Sequence, residues 1–359
     1  MRFFANFAVR KHRKQLTAKS AKDAKITQRV QLRTLAACGN ECLVELNPSR
    51  SRSKLKREGL NNANHEYTRR INRVIDYLRD HLDQPLKLEE LAKVACFSEF
   101  HFHRVFGAMT GETLNDFTNR LRLEKAARLL KRSGQSVTEI ALQCGFSSSA
   151  TFSRSFDKAF NTSPTQYRKS GELKNSKICK ELFPKHEYLL PMTEEEKKAA
   201  FPVEIRKFPA WDVAYIRVSN SFEGDRVLKA FEKMIEWLKS EKIYDKGTLF
   251  GMSIDDPEVT PKHLYRYEVC FASDVPFNCA DGISKMKIPS RTYGVTRISG
   301  DIRLAATAWD YLLQGWLIKS NYEPDDAPGF EILLNKEKAL DWSHFDLELA
   351  FPVKKMKET

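Results

Sequence analysis

The stretches LAKVACFSEFHFHRVFGAMTGETL (residues 91–114) and IALQCGFSSSATFSRSFDKAFNTSPTQYR (residues 140–168) are two copies of one pattern. Corresponding residues recur at an offset of 49 through the first part of the pattern and 50 in the second: Leu91/Ile140, Ala92/Ala141, Cys96/Gly145, Phe102/Phe152, Arg104/Arg154 and Phe106/Phe156. An apolar and a small residue, then a turn, then two inward aromatic residues are typical of a helix-turn-helix motif. The sequence therefore predicts two such motifs in tandem.

Positive charge is concentrated at one end of the 359-residue chain, whose formal net charge is +13. Residues 1–60 hold 15 Lys and Arg against 4 Asp and Glu, whereas residues 61–175 hold 18 against 13 and the remaining residues 27 against 30. Residues 1–60 also lack sustained periodicity. A disordered basic tail is the preferred interpretation of this segment, and an arm that contacts DNA phosphates is the alternative.

Several classes of protein are disfavoured by motifs that the sequence lacks. No run approaches the ~18 apolar residues of a membrane span. The seven cysteines form no CxxC pair, which favours reduced thiols in the cytoplasm over a disulfide or zinc framework. No HExxH, GxSxG or Walker motif is present, so the sequence indicates neither a common catalytic site nor a cofactor. We therefore expect no metal, no cofactor and no membrane partner.

Residues 61–170 are predicted to form an all-α domain around the two motifs. A first helix is expected over Tyr67–His81, with an inward stripe of Ile71, Val74, Ile75 and Leu78. A second helix, expected over Thr113–Leu130, connects the motifs and is ~27 Å long at about 1.5 Å per residue. A rod of this length can hold two recognition helices near the ~34 Å spacing of successive major grooves on one face of DNA.

The second helix of each motif has an inward face and an outward face. In the first copy Phe102, Val105, Phe106 and Met109 are predicted to pack inward. The candidate DNA-contacting residues are those predicted to point outward: Phe100, His103 and Arg104 in the first copy, and Ser149, Ala150, Ser153 and Arg154 in the second.

Arg104 and Arg154 occupy the same position in the two copies. Arginine there can donate two hydrogen bonds to guanine O6 and N7, and a phosphate contact or a plain surface residue is the alternative. His103 can contact a base edge and Phe100 a thymine methyl group, or both can cover the seam between helices.

Beyond a polar stretch at 171–200, interpreted as a linker, residues 201–355 change to strand periodicity. Strands and two amphipathic helices recur at an offset of 80, which pairs 217–219 with 297–299 and Glu268 with Glu348. Two hairpin-helix-strand-strand units of this kind predict one antiparallel sheet, with both helices on one face and an open groove at the repeat junction on the other. The predicted fold class is therefore multidomain, an all-α double helix-turn-helix domain followed by an α+β domain with a duplicated unit.

The tandem motifs resemble the DNA-binding unit of AraC/XylS-type transcription regulators over about 100 residues, from Tyr67 to Arg168. The most specific markers lie in the second copy: GF, then FSRSF, then SP and YR. Cys96 departs from the family pattern, which usually has glycine at that turn. The resemblance implies binding to double-stranded DNA.

Residues 201–354 resemble the GyrI-like effector-binding domain. The likeness rests on RYEVCF (266–271), a pair of tryptophans seven residues apart, GFEILLN (329–335) and DLELAFPV (346–353). The resemblance implies a ligand groove in which Glu331 offsets the charge of a cationic or amine-bearing apolar ligand. Leu333 stands where the family usually has tyrosine.

The alternating strand over Phe330–Leu334 puts the Glu331 carboxylate opposite Phe330 and Ile332. A solvent-facing glutamate on an edge strand is the alternative to a ligand contact. The further ligand-binding candidates are Glu348, Glu268, Trp309 and Trp316, and core packing explains the two tryptophans at least as well as ligand stacking does.

These observations predict a sequence-specific transcription regulator, an activator, controlled by a small amphipathic ligand that is bound in the C-terminal domain. The expected partners are double-stranded DNA, the effector and RNA polymerase, and the expected location is the cytoplasm, in association with the nucleoid. The protein is not expected to be an enzyme. The alternative is a small-molecule hydrolase or drug-sequestering protein that carries a DNA-binding unit.

Overall fold

The computed structural model describes residues 50–170, 189–255, 259–280 and 282–356, with side chains except those of residues 50–64 and Phe100. The basic segment 1–49 and most of the linker, 171–188, lie outside the described residues. The described chain forms a helical domain, residues 50–170, and a sheet domain, residues 189–356.

The helical domain contains the two predicted motifs and the helix that joins them. Its helices are α1 (Arg50–Asp80), α2 (Leu88–Ala95), α3 (Glu99–Thr110), α4 (Leu114–Arg132), α5 (Val137–Gln143), α6 (Ser149–Phe160) and α7 (Pro164–Ser170). Helices α2 and α3 form the first motif, and α5 and α6 the second.

Local sequence signals account for where these helices begin. Ser98 and Ser148 precede α3 and α6, and each accepts a hydrogen bond from a backbone N–H of the first turn. Ser136 and Glu139 form a reciprocal capping box at the start of α5. Such caps satisfy N–H groups that have no partner within the helix.

Each motif has its own core, and α4 contributes to both. Phe117 and Leu121 pack with the first motif, whereas Leu123 and Leu130 pack with the second. The predicted stripe of α1, residues 71, 74, 75 and 78, is buried in the first core. Since one continuous helix, about 28 Å long, is shared by two cores, the motifs are held at a fixed separation.

Three sequence predictions for these segments need correction. Helix α1 begins at Arg50 and not at Tyr67, so the last part of the predicted tail is helical. Met109 is 36% exposed rather than packed. The predicted linker contains helix α8 (Glu194–Ala200), which begins with a capping box at Thr193.

The sheet domain continues from α8 with nine strands and two long helical segments. The strands are β1 (Glu204–Phe208), β2 (Trp211–Ser219), β3 (Gly247–Ser253), β4 (Arg266–Ser273), β5 (Ser284–Ile288), β6 (Arg291–Gly300), β7 (Tyr322–Pro324), β8 (Phe330–Leu333) and β9 (Phe345–Lys355). Helix α9 is Arg226–Ser240, and α10 is Ile302–Asp310, continued by a π turn at Tyr311–Trp316 and a 3-10 turn at Leu317–Lys319. Two further 3-10 turns lie at Lys262–Leu264 and Lys336–Lys338.

The strand order confirms the predicted duplication. It is β1-β6-β9-β8-β3-β4-β2-β5, antiparallel throughout, with β7 added beside β9. The two units meet where β3 pairs with β8, and their first strands are exchanged, because β1 pairs with β6 and β5 with β2. Gly251 and Glu331, which are related by the offset of 80, lie directly opposite each other at this junction.

Both faces of the sheet are covered. Helices α9 and α10 pack on one face, α9 against β2 and β4, and α10 against β6 and β9. The opposite face, here called the interdomain face, carries a second apolar cluster that includes Phe250, Tyr293 and Phe330. Side chains of this face contact α1 of the helical domain, so the helical domain covers part of the expected open groove and leaves a cleft between the two domains.

Turn geometry explains two of the residues that define the motifs. Cys96 (φ 53°) and Gly145 (φ 79°) both adopt the left-handed conformation, so the cysteine keeps the turn of the glycine that it replaces. A Cβ at Gly145 would lie 2.1 Å from the Leu82 carbonyl oxygen and 2.9 Å from the Arg122 guanidinium. Gly145 therefore meets a steric limit as well as a conformational one.

We predict that Gly145→Ala destabilises the protein more than Gly111→Ala does. Gly111 has a similar φ, 75°, but a Cβ there meets no atom within 4 Å. Gly111→Ala should cost about 1 kcal/mol of backbone strain, and Gly145→Ala about 3 kcal/mol, because its methyl group also displaces backbone. Urea denaturation measures both losses, and equal losses would contradict the described turn.

Candidate functional site

The outward faces of α3 and α6 carry the predicted DNA-contacting residues. His103 and Arg104 are exposed on α3, and Ala150 and Arg154 are exposed on α6. Ser149 and Ser153 are half-buried, and the side chain of Phe100 lies outside the described residues. Arg154 Nε donates to the Ala150 carbonyl oxygen at 3.4 Å, a long bond that leaves its guanidinium on the surface.

Two arginines brace the helical domain around α4. Arg122 donates to the carbonyl oxygens of Leu82 and Gln84 at 2.9 and 2.8 Å. Arg168 donates to the Gln135 carbonyl oxygen at 2.6 Å. These bonds satisfy carbonyl groups at helix ends and so fix the segments that precede and follow α4.

Glu331 lies at the repeat junction, on the face of the sheet that α9 and α10 cover. It is only 4% exposed, with Tyr267 Oη donating at 2.6 Å and Trp309 Nε1 at 3.1 Å. Burial raises the pKa of the Glu331 carboxyl, although both hydrogen bonds oppose this shift. Among the described residues, no cationic side chain forms an ion pair with it.

Gly251 explains how Tyr267 reaches this carboxylate. A Cβ on Gly251 would lie 1.6 Å from the Tyr267 hydroxyl oxygen, so the phenol occupies the space that any side chain would fill. Gly251 faces Glu331 across the junction. The second repeat therefore supplies the acid, and the first supplies a glycine that leaves room for the Tyr267 phenol beside it. Sequence reasoning did not identify Tyr267, although a glycine at the repeat position of a glutamate was a usable signal.

Glu268 and Glu348 do not lie with Glu331, which corrects their assignment to one groove. Both lie on the interdomain face. Glu268 is fully buried and accepts from Arg217 Nε at 2.7 Å. Glu348 accepts from Arg206 at 2.6 Å near the edge of the sheet. Residues paired across adjacent strands point to the same face of a sheet. Glu268 is in register with Met252, which is in register with Phe330, so Glu268 and Glu331 project from opposite faces.

The two tryptophans also separate. Trp309 is buried beside Glu331, whereas Trp316 packs over Gly294 of β6 and stacks near Tyr322. The π turn after α10 changes the helical period between them. Their seven-residue spacing therefore does not place them in one site.

Charged residues that sequence reasoning missed hold the two domains together. Arg217 of β2 pairs with Asp76 of α1 and with Glu268, and Tyr215 Oη donates to Asp76 at 2.7 Å. Burial raises the pKa of the Asp76 carboxyl, but the Arg217 charge together with the hydrogen bonds from Arg217 and Tyr215 holds that pKa below its usual value. A detectable signal was an arginine within an otherwise apolar strand.

A second set of contacts joins α4 to the end of β4. Arg266 is buried, donates to Asp255 at 2.8 Å, and lies over the Phe117 ring at 5.1 Å. Further along α4, Lys125 and Arg128 form ion pairs with Asp326 of the sheet domain at 3.5 and 3.4 Å. The connecting helix of the DNA-binding motifs is thus itself attached to the sheet domain.

Two negative findings apply to the residues that the structure describes. None of their His, Cys, Asp and Glu side chains cluster in threes suited to a metal ion. None of their helices has both the length and the apolar content needed to span a bilayer.

Comparison with known proteins agrees with this two-part organisation. Residues 91–170 match a helix-turn-helix domain family, and residues 201–354 match the family described as a GyrI-like small molecule binding domain. The transcriptional regulator Rob of Salmonella typhimurium is 38% identical over 102 residues, 28% of this chain and 35% of Rob.

Two further relatives match a similar length of this chain. The probable transcription factor PqrA of Proteus vulgaris is 35% identical over 105 residues, 29% of this chain and 86% of PqrA. The transcriptional activator RhaS of Klebsiella pneumoniae is 38% identical over 117 residues, 33% of this chain and 40% of RhaS. The match thus spans about a third of Rob but most of PqrA. With both motifs in place and the GyrI-like fold behind them, the chain belongs to the AraC/XylS family of DNA-binding transcription regulators.

Proposed function

We propose that this protein is a sequence-specific transcription activator controlled by a small cationic amphipath that binds at Glu331. The observation that carries the ligand assignment is a buried carboxylate that is held by two neutral donors and forms no ion pair with a described side chain. Activation is supported by the relative RhaS, which is named a transcriptional activator, and RNA polymerase is the partner that activation would require.

The DNA-binding part of the proposal rests on equivalent positions in the two motifs. Arg104 and Arg154 are exposed on α3 and α6. Helix α4, which joins the two motifs, is about 28 Å long and so approaches the ~34 Å turn of DNA. Two recognition helices so arranged can enter successive major grooves on one face of the duplex. His103, Ala150 and Ser153 lie on the same outward faces and are the proposed supporting contacts.

The effector part rests on the cost of burying charge. An ionised carboxylate in an apolar interior is unfavourable unless a positive group compensates it. Tyr267 and Trp309 donate hydrogen bonds but carry no charge. A cationic ligand would supply the missing charge, and its apolar body would take the place of the Trp309 ring beside the acid.

A route from this site to the DNA-binding motifs is available. Trp309 contacts Glu331 and also lines a cleft whose other wall includes α4. Movement of Trp309 on ligand binding would therefore alter the surface that α4 meets. Since α4 sets the spacing of the two motifs, such a change would be transmitted to DNA binding.

We predict that Arg104→Ala and Arg154→Ala each weaken specific DNA binding by about 1 to 3 kcal/mol, the usual value of a two-bond arginine contact with guanine. Both side chains are exposed, so the thermal unfolding midpoint should not change. Lys158→Ala, an exposed charge change on α6, is the control. Fluorescence anisotropy with specific and random duplexes measures the effect, and unchanged discrimination in both arginine variants would contradict it.

For the effector site, Glu331→Gln should weaken binding of a butylpyrene that ends in trimethylammonium at least tenfold, about 1.4 kcal/mol. Because the pKa of Glu331 is raised, wild-type affinity should increase as the pH rises through that pKa, since only the ionised acid attracts the cation. The variant should lose this pH dependence. Isothermal titration calorimetry measures both properties.

Glu348→Gln is the matched control, since that glutamate lies on the opposite face of the sheet and pairs with Arg206. Equal affinities of wild type and Glu331→Gln at every pH would contradict the assignment. Recovery of the probe unchanged supports a sensor, whereas conversion of an ester-bearing probe to product would favour the hydrolase.

A further inference from the structure

A large cleft lies between the helical domain and the interdomain face of the sheet. Its volume is about 1050 Å³, which is at the upper end of the range for small-molecule sites. Helices α1 and α4 form one wall, and the other comes from the ends of β3 and β6, strand β5 and the loop between β7 and β8. Residues of α10, including Trp309, and the end of β9 also line the cleft. Glu331 does not line this cleft.

Two buried hydroxyl groups that line the cleft lack hydrogen-bond partners among the described residues. They are Tyr293 Oη, on a residue only 1% exposed, and Ser253 Oγ. Leaving a buried hydroxyl without a partner costs free energy that a well-packed core avoids. These two groups therefore indicate a polar occupant, and the cleft is large enough to hold one.

The charges that line the cleft favour an anion. Its acidic side chains are almost all paired: Asp76, Glu124, Asp255, Asp310, Glu323, Asp325 and Asp326 each form an ion pair. Among the described residues, the lining side chains without an ion pair are one acid, Asp80, and four cations, Arg73, Arg79, Arg132 and Lys287. The unmatched charge in the cleft is thus positive.

Arg79 is half-buried, whereas the unmatched cations Arg73 and Lys287 are exposed. Burial lowers the pKa of the Arg79 guanidinium, and the positive charges of Arg266 and Arg217 act in the same direction. Glu268 and Asp76 act in the opposite direction, but neither comes within ion-pair distance of Arg79. Holding a guanidinium here costs stability, which a bound anion would recover.

We propose that this cleft binds an amphipathic organic anion, such as an aromatic carboxylate or sulfonate. The acid group would pair with Arg79, and the apolar body would lie against Met252 and Ile288 of the sheet. The Tyr293 hydroxyl group is a further hydrogen-bond donor available to the same occupant. This site has the opposite charge preference from the Glu331 site. The two sites share Trp309, but the proposed contacts of the anion do not include Glu331.

The test uses three forms of butylpyrene, ending in carboxylate, carboxamide or trimethylammonium, titrated calorimetrically into the full chain. The carboxylate should bind at least tenfold more tightly than the carboxamide, and Arg79→Gln should remove that preference. Tyr293→Phe should weaken carboxylate binding about fivefold, the usual value of one hydrogen bond. Lys198→Gln makes the same charge change on exposed α8 and should change nothing.

A stability measurement separates a ligand contact from a structural role. Because Arg79 forms no ion pair in the described chain, Arg79→Gln should leave the urea midpoint unchanged or raise it. If the midpoint falls, Tyr293→Phe, which removes only an unpartnered hydroxyl group, decides the proposal. Glu331→Gln should bind the carboxylate as wild type does, so failure of the effector proposal would be distinguishable from failure of this one.

Two results would overturn the proposal. One is equal affinity for the three probes, or unchanged carboxylate affinity in both Arg79→Gln and Tyr293→Phe. The other is carboxylate binding that appears only when residues 171–188 are replaced by a Gly-Ser linker. That outcome would mean that the chain's own segment occupies the cleft.

Discussion

The buried guanidinium of Arg217 is the contact on which the arrangement of the two domains depends. It lies between Asp76 of α1 and Glu268 of β4, and the Tyr215 hydroxyl group donates to the same aspartate. Burial raises the pKa of the Glu268 carboxyl even though Arg217 opposes it. Removing one partner of such a buried group costs about 3 to 5 kcal/mol, because the remaining charge stays buried, whereas exposed pairs contribute about 0 to 1 kcal/mol.

Other features of the molecule follow from this docking. With α1 held on the interdomain face, α4 lies along the end of the sheet, where Arg266 meets Phe117 and Asp326 meets Lys125. The helix that spaces the two DNA-binding motifs is therefore fixed at both ends, by its own cores and by the sheet domain. Imperfect closure between the domains leaves the cleft beside Arg79. A ligand at Glu331 and a ligand in the cleft would both lie near Trp309, which contacts Glu331 and also lines the cleft.

Local pattern was sufficient to predict most of the elements. The duplicated helix-turn-helix motif and the offset of 80 located most helices and strands to within a few residues, although the start of α1 and the whole of α8 were missed. Capping residues such as Ser98, Ser136 and Ser148 marked where helices begin. Strand alternation correctly placed Glu331 on the face opposite Phe330 and Ile332. Local patterns succeed here because caps and periodicity act within one or two turns of the residue concerned.

Features that depend on distant contacts were not predictable in this way. Periodicity could not show that helix α1 covers the interdomain face, because Asp76 of α1 and its partner Arg217 are 141 residues apart. Nor could it show that Glu268 pairs with Arg217, which is 51 residues away. The π turn after Asp310 changes the direction in which Trp316 points, and the sequence YLLQGW contains no proline that would have predicted this turn. The candidate acids were therefore identified by residue type, but only the fold separates Glu331 from Glu268.

The central claim is that Arg217 and Asp76 join the domains into one cooperative unit, and the distribution of tryptophan allows a direct test. All five tryptophans lie in the sheet domain, at 211, 237, 309, 316 and 342, so their fluorescence reports that domain. Far-ultraviolet circular dichroism at 222 nm instead reports chiefly the helical domain. Urea unfolding followed by both signals should give coincident transitions in the wild type and separated transitions in Asp76→Ala, with Glu66→Ala, a surface pair on the same helix, behaving as wild type. Separate transitions in the wild type, or coincident and unshifted ones in Asp76→Ala, would contradict the account.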